Sequence, residues 1–389
     1  MNLINLQEDF NTHLRCIKHL EMVRWGGFPV CPHCESERIT ARSMIKKSPR
    51  GRKRIRPEKL YQTPKYHCNN CNKDFTVLMG TIFEGSKMPL EKWFMLITLM
   101  LNARKGISAM QIHRDLGITY KSAWYSAMRV RCAMLDQAHL LEGVVEMDET
   151  YIGGKPRKRN TPDNVANIGY TDLDEDQWDK KKFPPSKRGR GANKTAVVGI
   201  VERGKGKRVV MQVKDRLRSE DLLKMLHRFV NMKKGEVVVM TDDFTSYKAF
   251  DKVIQHFTVN HSKKEYVKYL KGIKDSIHTN TIEGVWSIIK NGIRGQYHVL
   301  SKKYLPFYLA EAAYKYNRMD KEDKATAFDE TIDNAVVNEK CEVNYKPKAY
   351  PRFLANRNRK SKTKVAKKNE RISLLKKKKK LKKIGKKRK

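Results

Sequence analysis

Three carboxylates sit inside apolar segments, where acids serve packing least. Asp148 follows Val144, Val145 and Met147 in "EGVVEMDETYIGG", Asp242 follows "VVVM" in "GEVVVMTDDF", and Glu283 stands among Ile282, Val285, Trp286, Ile288 and Ile289 in "NTIEGVWSIIKNGIRG". Carboxylates from three separated elements can hold two divalent cations, and such a pair stabilises both the attacking and the leaving oxygen of an in-line phosphoryl transfer. Magnesium prefers such oxygen ligands and keeps waters and substrate phosphates in its shell; manganese suits the same donors. Lys290 follows Glu283 by seven residues, two helical turns on nearly the same face, where it could contact a phosphate beside the metals. The plain alternative is ordinary strand-end and helix-surface acids in a chain that has 42 acidic residues.

A second group is built on sulfur. Cys31 and Cys34 lie in "CPHC", and Cys68 and Cys71 in "CNNC", with 33 residues between the pairs. Thiolates two residues apart grip one zinc from a tight knuckle, and two knuckles complete a tetrahedral site. The gap is longer than the roughly 15–20 residues usual for such ribbons. The basic loop "MIKKSPRGRKRIRPEK" accounts for the excess. His33 and His67 could each replace a thiolate, but four cysteines already fill the site. Cys16, Cys132 and Cys341 are read as free thiols.

The elements that must position these groups change character along the chain. "LQEDFNTHLRCIKHLEMVRWGG" suits a short helix stopped by Gly26 and Gly27. "LEKWFMLITLMLNA" predicts an apolar helix, and "ISAMQIHRDLGITYKSAWYSAMRVR" a helix, a turn at Gly117 and a second helix opened by Thr119. That is a helix-turn-helix shape able to enter a major groove, with Lys121, Arg129 and Arg131 available to phosphates; a plain helical hairpin is the alternative. Strands then predominate: "EGVVEMDETYIGG", a hairpin around Gly204 and Gly206, "GEVVVMTDDF" and "HFTVNH". "SEDLLKMLHRFV" predicts a helix capped by Ser219, and residues 280–292 another. The layout predicts an α/β fold with a mixed sheet. Asp242 then lies at the carboxyl end of a central strand, where ligand sites gather in open α/β sheets.

The formal charge is +41. A field of that sign concentrates polyanions, so nucleic acid is the first partner to consider. Residues 356–389 hold 19 Lys and Arg against one acid, Glu370, so the body remains basic without this tail. The tail predicts disorder and non-specific phosphate binding. No stretch approaches the roughly 18 uninterrupted apolar residues of a membrane span. The start lacks the layout of a secretion signal, so a soluble protein with no membrane partner is expected. Cysteine usage fits a reducing compartment with a metal site.

The motifs "MDETYIGG", "VVGIVERG", "TDDFTSY", "NHSKKEYV", "IHTNTIEGVWSIIK" and "RGQYHVLSKKYLPFYLAEAAYKYNRM" resemble the catalytic domain of bacterial insertion-sequence transposases of the DDE type. The resemblance is to the ISXO2-like group with an N-terminal zinc ribbon, related to Merlin elements. "RWGGFPVCPHC", "GTIFEGSKMPLEKWF" and "GISAMQIHRDLGITYKSAW" carry it into the ribbon and helical region, so it covers residues 10 to 320. It implies a ribonuclease H-like domain with Asp148, Asp242 and Glu283 as metal ligands and Lys290 as their basic companion. Adjacent strand residues point to opposite faces, so Asp148 and Asp242 are preferred over Glu149 and Asp243. His278 is expected to line the site without binding metal, and Tyr151 and Trp286 to pack.

The expected organisation is an N-terminal helix and zinc ribbon (1–85), a helix-turn-helix-like region (86–138), a ribonuclease H-like catalytic domain (139–320), a C-terminal extension (321–355) and a basic tail (356–389). The expected function is a transposase that binds the inverted repeats of its own element and performs metal-dependent cleavage and strand transfer. It would use two magnesium or manganese ions and one structural zinc. The partner is double-stranded DNA, held by a homodimer or larger assembly. The setting would be cytoplasmic and nucleoid-associated in a bacterium, or nuclear in a eukaryote. The rivals are a catalytically silent DNA binder derived from such an element, a structural RNA-binding protein, and a metal nuclease without strand transfer.

Overall fold

The structure is a computed structural model that describes residues 2–42, 63–135, 140–153, 194–204, 207–215, 217–232, 237–260, 263, 265, 267–269, 276–319 and 321–337, with no side chains described at 321–325 and 337. The basic loop between the cysteine pairs, Cys341 and the basic tail lie outside these residues. The chain forms two compact units, residues 1–137 with 318–389, and residues 138–317.

In the first unit, α1 (Leu3–Asp9) is capped by Asn2, whose side chain accepts from the Asn5 amide. Helix α2 (His13–Trp25) ends at Gly26, whose φ of 66° is the left-handed conformation that a helix stop needs. Strands β1 (Ile39–Arg42), β2 (Lys65–Cys68) and β3 (Lys73–Phe75) form a small antiparallel sheet. Helices α3 (Leu90–Asn102), α4 (Ala109–Leu116) and α5 (Tyr120–Ala133) follow. The turn at Gly117 has φ 58°, and the Thr119 side chain accepts from the Ser122 amide to start α5.

The second unit contains β4 (Val144–Ile152), β5 (Thr195–Glu202), β6 (Val209–Lys214), α6 (Ser219–Phe229), β7 (Val238–Asp242), a 3-10 helix (Thr245–Lys252), β8 (Gln255–Val259), α7 (Asn280–Gly292), a π-helical turn (Ile293–Tyr297) and α8 (Leu305–Tyr316). The five strands form a mixed sheet in the order β6-β5-β4-β7-β8. β5 pairs antiparallel with both β4 and β6, and β7 runs parallel to both β4 and β8. Alternation divides the strand residues between two apolar layers. On one face Val145, Met147, Val198 and Val239 pack with Leu222, Leu226 and Phe229 of α6 and with Tyr247 and Phe250. On the other, Val197, Val201 and Ile152 pack with Ile282, Val285, Trp286 and Ile289 of α7 and with Leu305 and Leu309 of α8. The mixed α/β architecture agrees with the expectation and is consistent with a ribonuclease H-like domain. One detail differs: Ser219 is the first helical residue of α6 and caps nothing, since the cap position is Arg218, without a side-chain bond. Glu220 and Asp221 complement the helix dipole there instead.

Helix α9 (Lys321–Val337) belongs to the first unit. Phe328 meets Phe94 of α3 edge to face at 5.7 Å, and the Ile82 amide donates to the Ala335 carbonyl. This helix lies in the stretch expected to be a C-terminal extension, yet it completes the N-terminal core.

Candidate active site

The parallel pairing of β4 with β7 sets Val144 beside Val238, Val145 beside Val239 and Glu146 beside Met240. Two residues further along each strand come Asp148 and Asp242, so both fall on the face that α7 covers. One carboxylate oxygen each from Asp148, Glu149 and Asp242 lies within 4.8 Å of the others, a spacing compatible with a shared metal ion. Asp243, by contrast, is exposed. The sequence reading set Glu149 aside by alternation. Its strand position does put it on the opposite face, where its Oε2 accepts from Tyr247 Oη at 2.9 Å, yet it still joins the cluster. Glu283 is exposed on the first turn of α7 and is not a member of that cluster, and Lys290 is half-buried further along the same helix.

Each carboxylate is held by a neighbour. Trp286 Nε1 donates to Asp148 Oδ2 at 2.9 Å, so this tryptophan packs, as expected, and also orients a candidate ligand. The Phe244 amide donates to Asp242 Oδ1 at 3.1 Å and turns the chain at the end of β7. Burial, the neighbouring Glu149 charge and Asp242 push the Asp148 carboxyl up to about 7 against the opposing Trp286 bond. Crowded carboxylates of this kind favour a proton or a cation among them. Burial and Glu149 raise the Tyr247 phenol well above its ordinary value, which keeps it a donor.

Residues 140–317 match the model of the ISXO2-like transposase domain. That span contains every strand of the five-stranded sheet and all the carboxylates above. A relative from Halobacterium salinarum, described as an uncharacterized protein in transposable element ISH50, is 26% identical over 305 residues, covering 77% of this chain and 89% of the relative. Together the domain match and this relative support an insertion-sequence transposase. A chain in a simian T-cell lymphotropic virus intasome, solved with the PP2A regulatory subunit B56 gamma, aligns at 13% identity with a TM-score of 0.23. The alignment covers 52% of this chain and 63% of that one, and a likeness this weak carries no argument.

Two residues inside the transposase-domain match escaped the sequence reading. Glu146, fully buried, and Arg203, just after β5, are joined by a charged hydrogen bond. The signal for Glu146 was its position two residues before Asp148, hence on the same face. His278 does not face the carboxylate cluster as a ligand. Its Nδ1 accepts from Arg203 Nη2 at 2.8 Å and from the Asn280 amide at 3.3 Å. Burial and the Arg203 charge lower its pKa, which agrees with a neutral ring. The 3.3 Å approach of the same nitrogen to Glu146 is therefore a contact between acceptors rather than an ion pair.

The cysteines form a separate cluster in the first unit. Cys31 and Cys71 sulfurs are 3.6 Å apart and those of Cys34 and Cys68 3.5 Å, with all four mutually within 4.8 Å. Tetrahedral zinc with sulfur at about 2.3 Å requires sulfurs roughly 3.8 Å apart, so the donor set fits. The two knuckles are built alike. The Glu35 amide donates to the Cys31 carbonyl and the Asn72 amide to the Cys68 carbonyl, and both Glu35 and Asn72 take positive φ, 59° and 55°. The Cys71 and Asn70 amides draw the Cys68 thiol down to about 6, while desolvation and the neighbouring sulfurs push Cys71 up to about 12. Cys16 is a buried free thiol, but Cys132, expected to be free, is disulfide-bonded.

The helical region requires one correction. Arg129 and Arg131, expected at phosphates, are 4% and 2% exposed. Arg129 donates to the Glu84 carbonyl and lies over the Tyr125 ring, and Arg131 packs against Met128 Sδ. Helix α5 is covered on most sides, so these guanidiniums serve its own unit. Lys121 is exposed.

Proposed function

We propose that this protein is a DDE-type transposase that binds the terminal repeats of its own insertion sequence and cuts and rejoins DNA. The observation that carries the reading is the convergence of Asp148, midway along β4, with Asp242, at the end of the adjacent parallel strand β7, in a chain of net charge +41. Asp148, Asp242 and Glu283 would hold two magnesium or manganese ions, and Lys290 would contact phosphate. Once bound, the ions would lower the pKa of the attacking water and neutralise charge on the leaving oxygen.

The chain's residues set the rest. Trp286 holds Asp148 Oδ2 in place, and Asp148 must give up its raised proton before it can ligate. Glu149 adds negative charge beside it and is held back by Tyr247. In the first reaction water replaces the 3′ oxygen of a phosphodiester at the element end. In the second, the freed 3′-hydroxyl attacks a target phosphodiester, so one bond forms as one breaks and no protein nucleophile is needed.

Cys31, Cys34, Cys68 and Cys71 would carry one structural zinc. The ribbon and the α4–α5 hairpin would read the inverted repeats on double-stranded DNA, with sequence-blind, salt-dependent affinity from the basic body. Two ends must be held at once, so a dimer or larger assembly would act, on the nucleoid of a bacterium. Among the described residues, no helix is long and apolar enough to cross a membrane.

The test is a labelled duplex carrying the DNA that flanks the gene, incubated with and without magnesium. Wild type is compared with Asp148→Asn, Glu283→Gln and Glu149→Gln. Metal-dependent cleavage lost in the first two variants, with binding intact, establishes the reading. Loss in Glu149→Gln but not Glu283→Gln moves the third ligand to Glu149. Binding without cutting by wild type under any metal condition replaces the reading with a silent DNA binder.

A further inference from the structure

Glu146 is fully buried in β4. A buried carboxylate is costly unless it is paired and hydrogen-bonded on both oxygens. Its Oε1 accepts from Arg203 Nε, and its Oε2 accepts from the Ile282 amide at 2.9 Å. Ile282 is the third residue of α7; the side chain of the cap residue, Thr279, makes no capping bond, and His278 Nδ1 serves the Asn280 amide but not that of Ile282. A strand carboxylate thus does from outside what a capping side chain does, satisfying an orphan amide and placing negative charge at the positive end of the helix.

Arg203 extends the hold backward. Its Nη1 donates to the Ser276 carbonyl at 2.7 Å, and its Nη2 donates to the His278 carbonyl at 2.6 Å and to His278 Nδ1. One planar fork therefore fixes the segment leading into α7 while the carboxylate it pairs with fixes the first turn. The next residue after Ile282 is Glu283.

We infer that Glu146 and Arg203 are positioning residues that set the first turn of α7, and so present Glu283 to the Asp148–Asp242 pair. The inference rests on the reading of that pair as a metal-dependent DNA-cutting site. Burial of an ion pair is weak evidence for stability, since apolar residues of similar volume often serve a core as well. Apart from the bond that joins the two side chains, their bonds end on the backbone or ring at one helix start, which points to placement rather than packing.

The test uses the full chain and two variants. The double variant Glu146→Leu/Arg203→Met replaces the pair by apolar side chains without leaving a lone buried charge, and Arg203→Lys keeps the charge but loses the fork. Two readouts are taken: amide hydrogen exchange across the chain, and metal-dependent cleavage of the flanking-DNA duplex. The expected result is a thermal midpoint close to wild type in at least one variant, with Ile282 and Glu283 amides exchanging about tenfold faster or more while β5 amides are unchanged. In that variant kcat falls about 100-fold with KM for the duplex unchanged, the scale of a misplaced catalytic group. A folded variant with wild-type exchange at Ile282 and Glu283, or with wild-type kcat, overturns the inference. So does loss of folding in both variants, which makes the pair a stability element. Failure of wild type to cut is a separate result: it defeats the active-site reading, while the exchange comparison still decides whether the pair holds α7.

Discussion

Gly199 lies directly across the β4–β5 ladder from Asp148, and the space left by its missing side chain is filled by Trp286. A Cβ at Gly199 would come within 2.7 Å of Trp286 Cη2 and 3.0 Å of Ile282 Cδ1. The glycine is there for close approach, and through the indole it sets the donor that holds Asp148. Gly199→Ala should destabilise the second unit by about 1–3 kcal/mol, the usual cost of overpacking. It should also weaken metal binding about 10-fold or more, as loss of a ligand-orienting partner does. Calorimetry and metal titration of the variant check both; a wild-type melting temperature and metal affinity would show that the indole has room to move.

Asp148 predicts a pH dependence with opposite signs for the metal-free and metal-bound protein. Its folded pKa is raised to about 7, above the ordinary aspartate value, so its contribution to stability is present in full at acid pH and is lost as pH rises towards 7. Metal-free protein should lose on the order of a few kcal/mol between pH 4 and pH 7.5 from this group. Metal affinity should rise over the same interval, with release of a proton. Melts with and without magnesium at several pH values, repeated on Asp148→Asn, read the effect; an unchanged pH profile in the variant would assign it elsewhere.

The four sulfurs predict one zinc per chain. Metal analysis of purified protein should find it, and Cys68→Ser should abolish it and lower the melting temperature of the first unit. The transition of the second unit should stay where it is, because the cysteines belong to the other compact unit. Zinc retained at full occupancy in the variant would rule out the four-cysteine site.

Lys121 and Arg131 should separate DNA contact from packing. Lys121→Ala should leave the melting temperature unchanged and reduce the slope of log affinity against log salt by about 1 if it neutralises a phosphate. Arg131→Ala should lower the melting temperature by removing a buried side chain and leave that slope alone. Binding isotherms at several salt concentrations distinguish the two, and equal slopes for Lys121→Ala and wild type would remove Lys121 from the interface.

What the sequence made legible was whatever depends on local pattern. The apolar runs around Asp148 and before Asp242 mark strands buried on both faces, and Gly26, Gly117 and Thr119 act where helix-stop and helix-start chemistry puts them. The illegible parts are those decided by partners far along the chain. Glu146 looks like a stray acid until Arg203, 57 residues on, and the Ile282 amide, 136 residues on, supply its bonds. Arg129 and Arg131 count as basic charge in a sequence, but which face of α5 is covered depends on tertiary packing. Glu149 is easy to discount because alternation fixes the direction of a Cα–Cβ bond, not the reach of the carboxylate beyond it.

Helix α9 has a consequence for synthesis. Phe328, Ile332 and Val336 are buried in a core whose other members leave the ribosome far earlier. Between Gln137 and Arg318 the ribosome must make the whole second unit, which at about 5–20 residues per second takes roughly 10–40 s. During that interval the sheet of the second unit can begin to form while Phe94 and its neighbours wait without their last covering helix. The unit begun first is finished last, and its core keeps an uncovered apolar side, open to chaperones, until Phe328, Ile332 and Val336 emerge.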